Sequence, residues 1–214
     1  MKSALNRIPE IVRILRETYP RSRTALDFSS PFQILVATIL SAQCTDKKVN
    51  EITPGLFARY PDPAAMAEAD VGEFEERIRP TGFYRQKTKS LLGSARKIVA
   101  DFGGEVPARM DDLITLPGVA RKTANIVLSS GFGIAEGIAV DTHVKRLAGR
   151  MGLSKEKDPV KIERDLMKVV PRDAWLDFNY LLVNHGRALC PARKPRCSDC
   201  PLSSLCPHLG VGPL

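Results

Sequence analysis

Apolar positions along this chain recur at intervals of three and four residues, in one segment after another, and hardly ever alternate with polar ones. That spacing lines side chains along one face of an α-helix. Ile8, Ile11, Val12, Leu15 and Tyr19 predict a first helix. A loop through Pro20 to Ser30 follows, and Ser30-Pro31 reads as a cap with proline at the first helical position. Phe32, Leu35, Val36, Ile39 and Leu40 predict a helix too apolar for the surface, hence a central one. Further helices are expected over Lys48 to Arg59, Ala64 to Glu68 and Val71 to Ile78. Gly82-Phe83-Tyr84 interrupts the pattern and opens a long helix ending near Phe102.

Beyond Gly103-Gly104 and Pro107, the pattern predicts a short helix over Asp111 to Thr115 and a turn at Leu116-Pro117-Gly118. A helix from Val119 to Ser130 follows, ended by Gly131-Phe132-Gly133. Val140, Val144, Leu147, Ala148 and Met151 mark another, and Val160 to Val169 and Ala174 to Ala188 complete the set. No alternating run is long enough for a sheet, so the expected fold class is mainly α. No internal repeat or low-complexity segment stands out.

The 214 residues allow one large domain or two small ones with a substantial core. Lysine and arginine number 32 against 24 aspartates and glutamates, a net +8. A basic surplus raises the case for a polyanionic partner, weakly by itself, because solubility also needs net charge. Its distribution says more. Arg79, Arg85, Lys87, Lys89, Arg96 and Lys97 lie between Arg79 and Ala100 with no acidic residue among them. Arg187, Arg193, Lys194 and Arg196 lie between Gly186 and Cys197, again with none. Each run reads either as a solvated helix face or loop, or as a surface that meets phosphates. The opening Met1-Lys2-Ser3 and its amphipathic run do not read as a secretion signal. Nothing approaches the ~18 consecutive apolar residues of a membrane span. The expectation is a cytoplasmic protein with no membrane partner.

Cys190, Cys197, Cys200 and Cys206 are spaced Cys-x6-Cys-x2-Cys-x5-Cys. Around them stand Arg187, Pro191, Arg193, Lys194, Pro195 and Pro201, a poor composition for helix or strand because each proline fixes φ and removes a donor. Such a loop takes its shape from what it binds. Three readings compete. Four thiolates can hold a structural zinc, although zinc sites usually pair two short Cys-x2-4-Cys turns and here only Cys197 and Cys200 make one. An iron–sulfur cluster is larger and suits wider gaps. A disulfide framework is disfavoured in a reducing cytosol. Spacing alone ranks them cluster, zinc, disulfide. The fifth, Cys44, reads as a small buried residue of the apolar helix.

The segment Asp111 to Ala124 reads as helix, tight turn, helix. Backbone N–H groups around Gly118 and at the start of the second helix have no partner within it, an arrangement that suits a phosphate. An ordinary αα corner would fit Leu-Pro-Gly equally well. Here four separated motifs carry a resemblance. Leu116-Pro-Gly-Val-Ala-Arg-Lys-Thr-Ala-Asn125, Val140-Asp-Thr-His-Val144, the four-cysteine loop and Ser41-Ala-Gln-Cys-Thr-Asp46 resemble the endonuclease III family of helix-hairpin-helix DNA glycosylases, in order from about residue 30 to 206. The resemblance implies two lobes: a six-helix barrel with the hairpin over 25–135, and an iron–sulfur lobe from 1–24 and 136–214. It implies a [4Fe–4S] cluster on Cys190, Cys197, Cys200 and Cys206. It also implies a monomer, prokaryotic and associated with the nucleoid, whose partner is double-stranded DNA carrying damaged bases or abasic sites.

By position alone, Lys122 reads as a solvated charge and Asp141 as a helix cap before Thr142. The resemblance reverses both and makes them catalytic, in a base excision enzyme that removes oxidised pyrimidines and nicks the strand. An amine is nucleophilic only when unprotonated. The helix start and Arg121 would both push Lys122 toward that form. Lys122 would attack C1′, form a Schiff base and eliminate the 3′ phosphate, with Asp141 taking a proton or stabilising positive charge on the sugar. Gln43 matches the glutamine that fills the space of an everted base, and Phe83 stands where a leucine wedge is usual. Gly118, Ala120, Arg121, His143, Arg193, Lys194 and Arg196 are the remaining expected DNA contacts. Ala120 replaces a common second glycine. If that site needs φ > 0, alanine is strained there by roughly 1 kcal/mol, and the hairpin relaxes slightly.

Overall fold

In the computed structural model, residues 3–211 are described. Met1 and Lys2 of the opening, and the last three positions of the lobe expected to run to 214, lie outside them. Eleven α-helices and several single turns are found among the described residues, with no strand. The mainly α expectation holds. The helices are α1 (Ala4–Thr18), α2 (Pro31–Leu40), α3 (Asp46–Arg59), α4 (Pro63–Ala67), α5 (Val71–Ile78), α6 (Tyr84–Phe102), α7 (Met110–Leu113), α8 (Arg121–Ile126), α9 (Thr142–Arg150), α10 (Pro159–Val169) and α11 (Phe178–Ala188). No helix among them is long and apolar enough to cross a membrane.

The chain divides into two compact units. One is Thr24–Ile134; the other joins the start of the chain through Arg23 to everything from Ala135 onward. In the first, α2 is the centre. Ser30 caps it through the Gln33 N–H, Pro31 opens it, and every residue from Ile34 to Leu40 is buried. Around it pack α3, α6, α8 and a π-helical turn, Val127–Phe132, that continues α8. Contact there is tight: a Cβ on Gly131 would meet Ile34 Cγ2 at 3.0 Å and Pro31 Cα at 3.2 Å. The expected helix from Val119 to Ser130 is therefore three pieces. Val119 and Ala120 lie before it, Arg121–Ile126 is α-helical, and the remainder widens into the π turn that Gly133 ends in the left-handed region.

The second unit has its own core. Ile8, Ile11, Val12 and Leu15 of α1 meet Val144, Leu147 and Ala148 of α9, Ile162 and Leu166 of α10, and Phe178, Leu181 and Leu182 of α11. Each buried aliphatic side chain contributes about 1.5–3 kcal/mol. Arg7 is buried among them and donates to the Leu205 and Met151 carbonyls, at 2.5 and 3.0 Å, tying α1 to the cysteine segment. The last helix starts at Phe178, not at Ala174. Arg172–Ala174 forms a separate 3₁₀ turn, and Trp175 folds back so that its indole N–H donates to the Val170 carbonyl at 3.0 Å.

Candidate functional site

In the unit 24–134, one face of α6 organises three loops. Lys87, Ser90 and Ser94 sit three and four residues apart, which places them on one helix face, and all are buried. Lys87 Nζ donates to the Leu40 carbonyl at 2.7 Å and to the Thr81 carbonyl at 2.8 Å. Ser94 Oγ donates to the Pro117 carbonyl at 2.8 Å. Ser90 lies against Gly118, whose φ is +79°; a Cβ there would stand 2.6 Å from Ser90 Cβ. The end of α2, the turn before α6 and the hairpin are thus fastened to one helix.

A cleft of about 290 Å³ opens above this face, lined among others by Gln43, Phe83, Lys87, Ser90, Gly118 and Thr123. The three expected contacts Gln43, Phe83 and Gly118 therefore come together. Gln43 and Phe83 share a rare property: φ is +53° and +47°. For residues other than glycine the left-handed region costs about 1–2 kcal/mol each. Such strain gathers where a side chain must be aimed. Phe83, 65% exposed, is aimed at solvent. Cys44 is not inside the apolar helix as expected. It follows the left-handed Gln43 in the turn after Leu40, and it is half-buried.

The hairpin behaves differently from expectation at Ala120. Its φ is −94° and ψ 170°, an extended conformation open to any residue, so no strain is stored there. The positive φ falls on Gly118 alone in this turn. Ala120 is the N-cap of α8 and has no side chain to accept from the first turn, where Arg121 is half-buried and Lys122 exposed. Lys122 precedes Thr123, a lining residue of the cleft.

In the other unit, Asp141 caps α9, its Oδ1 accepting from the Val144 N–H at 2.8 Å. His143, two residues on, lies 3.1 Å from Arg146 through its Nδ1. Its pKa is lowered, first by burial and then by the neighbouring arginines, with Asp141 opposing. The four clustered cysteines line one cavity. All are free thiols. Their sulfurs face N–H donors: Arg150 reaches Cys190 Sγ at 3.2 Å, and the His208 N–H reaches Cys206 Sγ at 3.4 Å. His185 Nε2 lies 3.4 Å from Cys200 Sγ. Burial raises the Cys200 and Cys206 pKa values, with further increments from the other thiolates of the set. Arg150 also donates to the Pro191 and Ala192 carbonyls at 2.7 and 2.8 Å, holding the loop that carries Arg193 and Lys194, both exposed. Arg196 is exposed as well, but its guanidinium donates to the Ala188 carbonyl at 2.8 Å.

The basic run from Arg79 to Ala100 does not form one phosphate-facing surface. Lys87 is internal, Lys97 pairs with Asp101 at 2.5 Å, and Arg96 donates to the Ala67 carbonyl at 3.1 Å. Arg79 and Arg85 lie over the ring of Tyr84, beside Phe83. Lys87 is the residue that reading charge along the chain missed. The signal was present: Leu91, Ala95 and Ile98 follow it at helical spacing, which puts it on the buried face.

Comparison with known proteins matches residues 36–172 to the HhH-GPD superfamily base excision DNA repair protein family. Endonuclease III of Synechocystis sp. is 56% identical over 207 residues, covering 97% of this chain and 94% of its own. Endonuclease III of Escherichia coli K12 is 42% identical over 199 residues, 93% and 94% of the two chains. Among solved structures, a trapped endonuclease III–DNA covalent intermediate superposes with a TM-score of 0.89 at 36% identity, over 97% of each chain. A thermostable thymine-DNA glycosylase gives 0.86 at 25% identity, over 95% of this chain and 96% of its own.

Proposed function

Since the chain belongs to the HhH-GPD superfamily of base excision DNA repair proteins, we propose that this enzyme, a bifunctional DNA glycosylase and AP lyase, removes oxidised pyrimidines with Lys122 as nucleophile and Asp141 as a catalytic carboxylate. The observation that carries the reading is the cleft of unit 24–134, where Gln43, Phe83 and Gly118 meet and Thr123 adjoins Lys122. The solved relative whose name records a covalent DNA intermediate supports a step through an enzyme nucleophile.

A base inside a duplex is out of reach and must be everted, at a cost of a few kcal/mol. Phe83 and Gln43, projected from strained turns, occupy the space it leaves and oppose its return. The amine of Lys122 then forms a bond to C1′ as the N-glycosidic bond breaks, and the base leaves with that electron pair and takes up a proton. Asp141, held in one rotamer by its capping bond, stabilises the positive charge developing on the sugar. Ring opening gives the Schiff base. Loss of a C2′ proton then expels the 3′ phosphate, nicking the strand. The exposed start of α8, with no capping side chain, suits a backbone phosphate.

The thiols of Cys190, Cys197, Cys200 and Cys206 fit a [4Fe–4S] cluster. They line one cavity together. When bound, the cluster would supply a covalent brace for the basic loop Arg193 to Arg196. In this reading residues 25–135 form the barrel lobe and 1–24 with 136–214 the cluster lobe of a monomer working at the bacterial nucleoid. Borohydride reduction on a duplex carrying thymine glycol tests the nucleophile. Covalent trapping is expected for the unmodified enzyme and none for Lys122→Ala. Trapping that survives in the variant places the nucleophile elsewhere; base release without any nick makes the enzyme monofunctional, and salt-sensitive binding without turnover makes it a DNA-structure binder.

A further inference from the structure

We propose that Lys87 is a positioning residue for strand opening: its ammonium clamps the turn carrying Gln43 to the turn carrying Phe83, so that the two side chains enter DNA as one rigid pair. The inference rests on the reading of Gln43 and Phe83 given above. The two bonds that carry it go to main-chain carbonyls just before the two turns. Leu40 is the last residue of α2, three residues before Gln43. Thr81 is two residues before Phe83.

Both carbonyls accept from this one donor. The last carbonyls of a helix have no partner within it. In α2, Ser41 N–H takes the Ala37 carbonyl, Ala42 N–H the Ile39 carbonyl and Ser41 Oγ the Thr38 carbonyl. Lys87 serves Leu40, and its charge sits where the helix dipole favours a cation. Thr81 is buried, its hydroxyl already donating to the Ile78 carbonyl. A lysine side chain is only 5% exposed here, so it is not a second nucleophile in the cleft. Burial lowers its pKa, with Cys44 opposing. A buried cation is retained when hydrogen bonds compensate it, and these two do so by joining segments 47 and 6 residues away in the chain.

The strain makes the clamp necessary. Gln43 and Phe83 occupy left-handed backbone with no glycine to ease it. Released, each turn would relax toward negative φ and its side chain would swing away from the other. Lys87→Met keeps the length and removes the donors; Lys87→Gln keeps a donor of shorter reach.

The test compares two activities of the same protein. Base release from duplex thymine glycol in single turnover needs eversion; nicking of a single-stranded oligonucleotide with a preformed abasic site does not. Lys87→Met should slow base release by about tenfold to a hundredfold, the value of charge-assisted hydrogen bonds, and leave single-strand nicking within about twofold. Lys87→Gln should fall between. Phe83→Ala should slow base release in the unmodified protein and add little in the Lys87→Met background, because the clamp acts through that side chain. Unchanged base release, equal loss of both activities, or additive effects overturn the proposal. If neither Lys87 variant folds, amide exchange in the unmodified enzyme decides: turns 41–45 and 81–84 should open at a common rate, and rates differing by more than about tenfold overturn the clamp. Failure of the unmodified enzyme to nick the abasic strand would instead count against the Lys122 reading.

Discussion

Gly118→Ala puts the hairpin geometry to a quantitative test. Two separate penalties meet at this residue. Its φ of +79° strains any L-side chain, by about 1–2 kcal/mol. The new Cβ would also lie 2.6 Å from Ser90 Cβ and 2.7 Å from Ser90 Oγ. Ser90 Cβ is bonded directly to the α6 backbone and cannot rotate away, so helix or turn must shift, a form of overpacking worth about 1–3 kcal/mol. Together the loss should be about 2–5 kcal/mol, which lowers Tm by about 4–20 °C in a chain of this size. Urea unfolding followed by circular dichroism measures it.

The two penalties can be separated. Ser90→Gly removes both clashing atoms and by itself costs about 1 kcal/mol as a glycine inside a helix. In the Gly118→Ala background it should recover the overpacking part and leave the φ strain. Ser90→Ala should recover little, because the nearer of the two atoms remains. A Gly118→Ala variant within about 0.5 kcal/mol of the parent, or a Ser90→Gly substitution that rescues nothing, would refute the account of why the turn needs glycine.

Asp141→Asn keeps an oxygen to accept from the Val144 N–H, so the cap and Tm should survive while single-turnover base release falls by about a hundredfold or more; a large loss of DNA affinity or of stability would reduce Asp141 to a capping residue. Cys197→Ser should yield a protein with little bound iron and sulfide, by metal and acid-labile sulfide analysis, and weaker DNA binding through the loop Arg193 to Arg196. A colourless unmodified protein containing zinc would replace the cluster with a single ion.

Helix identity was legible because burial in a helical protein imposes its period on the sequence. Ile8, Ile11, Val12 and Leu15 are all 5% exposed or less, and α5 and α6 run over the residues their apolar spacing outlined. Boundaries were less legible where tertiary contacts override local preference. Trp175 fits a helix by propensity, yet its indole N–H is spent on the Val170 carbonyl, and the helix waits until Phe178. The π turn after Ile126 has no residue-level mark; it arises where Gly131 is drawn against Pro31 and Ile34. Ala120 shows the converse error. A missing glycine implied strain, but the left-handed position was two residues earlier, at Gly118.

The site was legible at the side chains that project outward and illegible at the group that holds them. Gln43 and Phe83 were recognisable from their motifs, but glutamine and phenylalanine carry no hint of positive φ, since neither prefers it. In the clamp proposed above, their conformations are imposed from outside the turns. The imposing group belongs to a helix that begins one residue after Phe83 and bonds back across both loops, a relation defined only once α2 and α6 are packed. Read along the chain, Lys87 was one cation among six. Read across the fold, it is the one of them whose charge is turned inward, onto the carbonyls of Leu40 and Thr81 that precede the two strained residues.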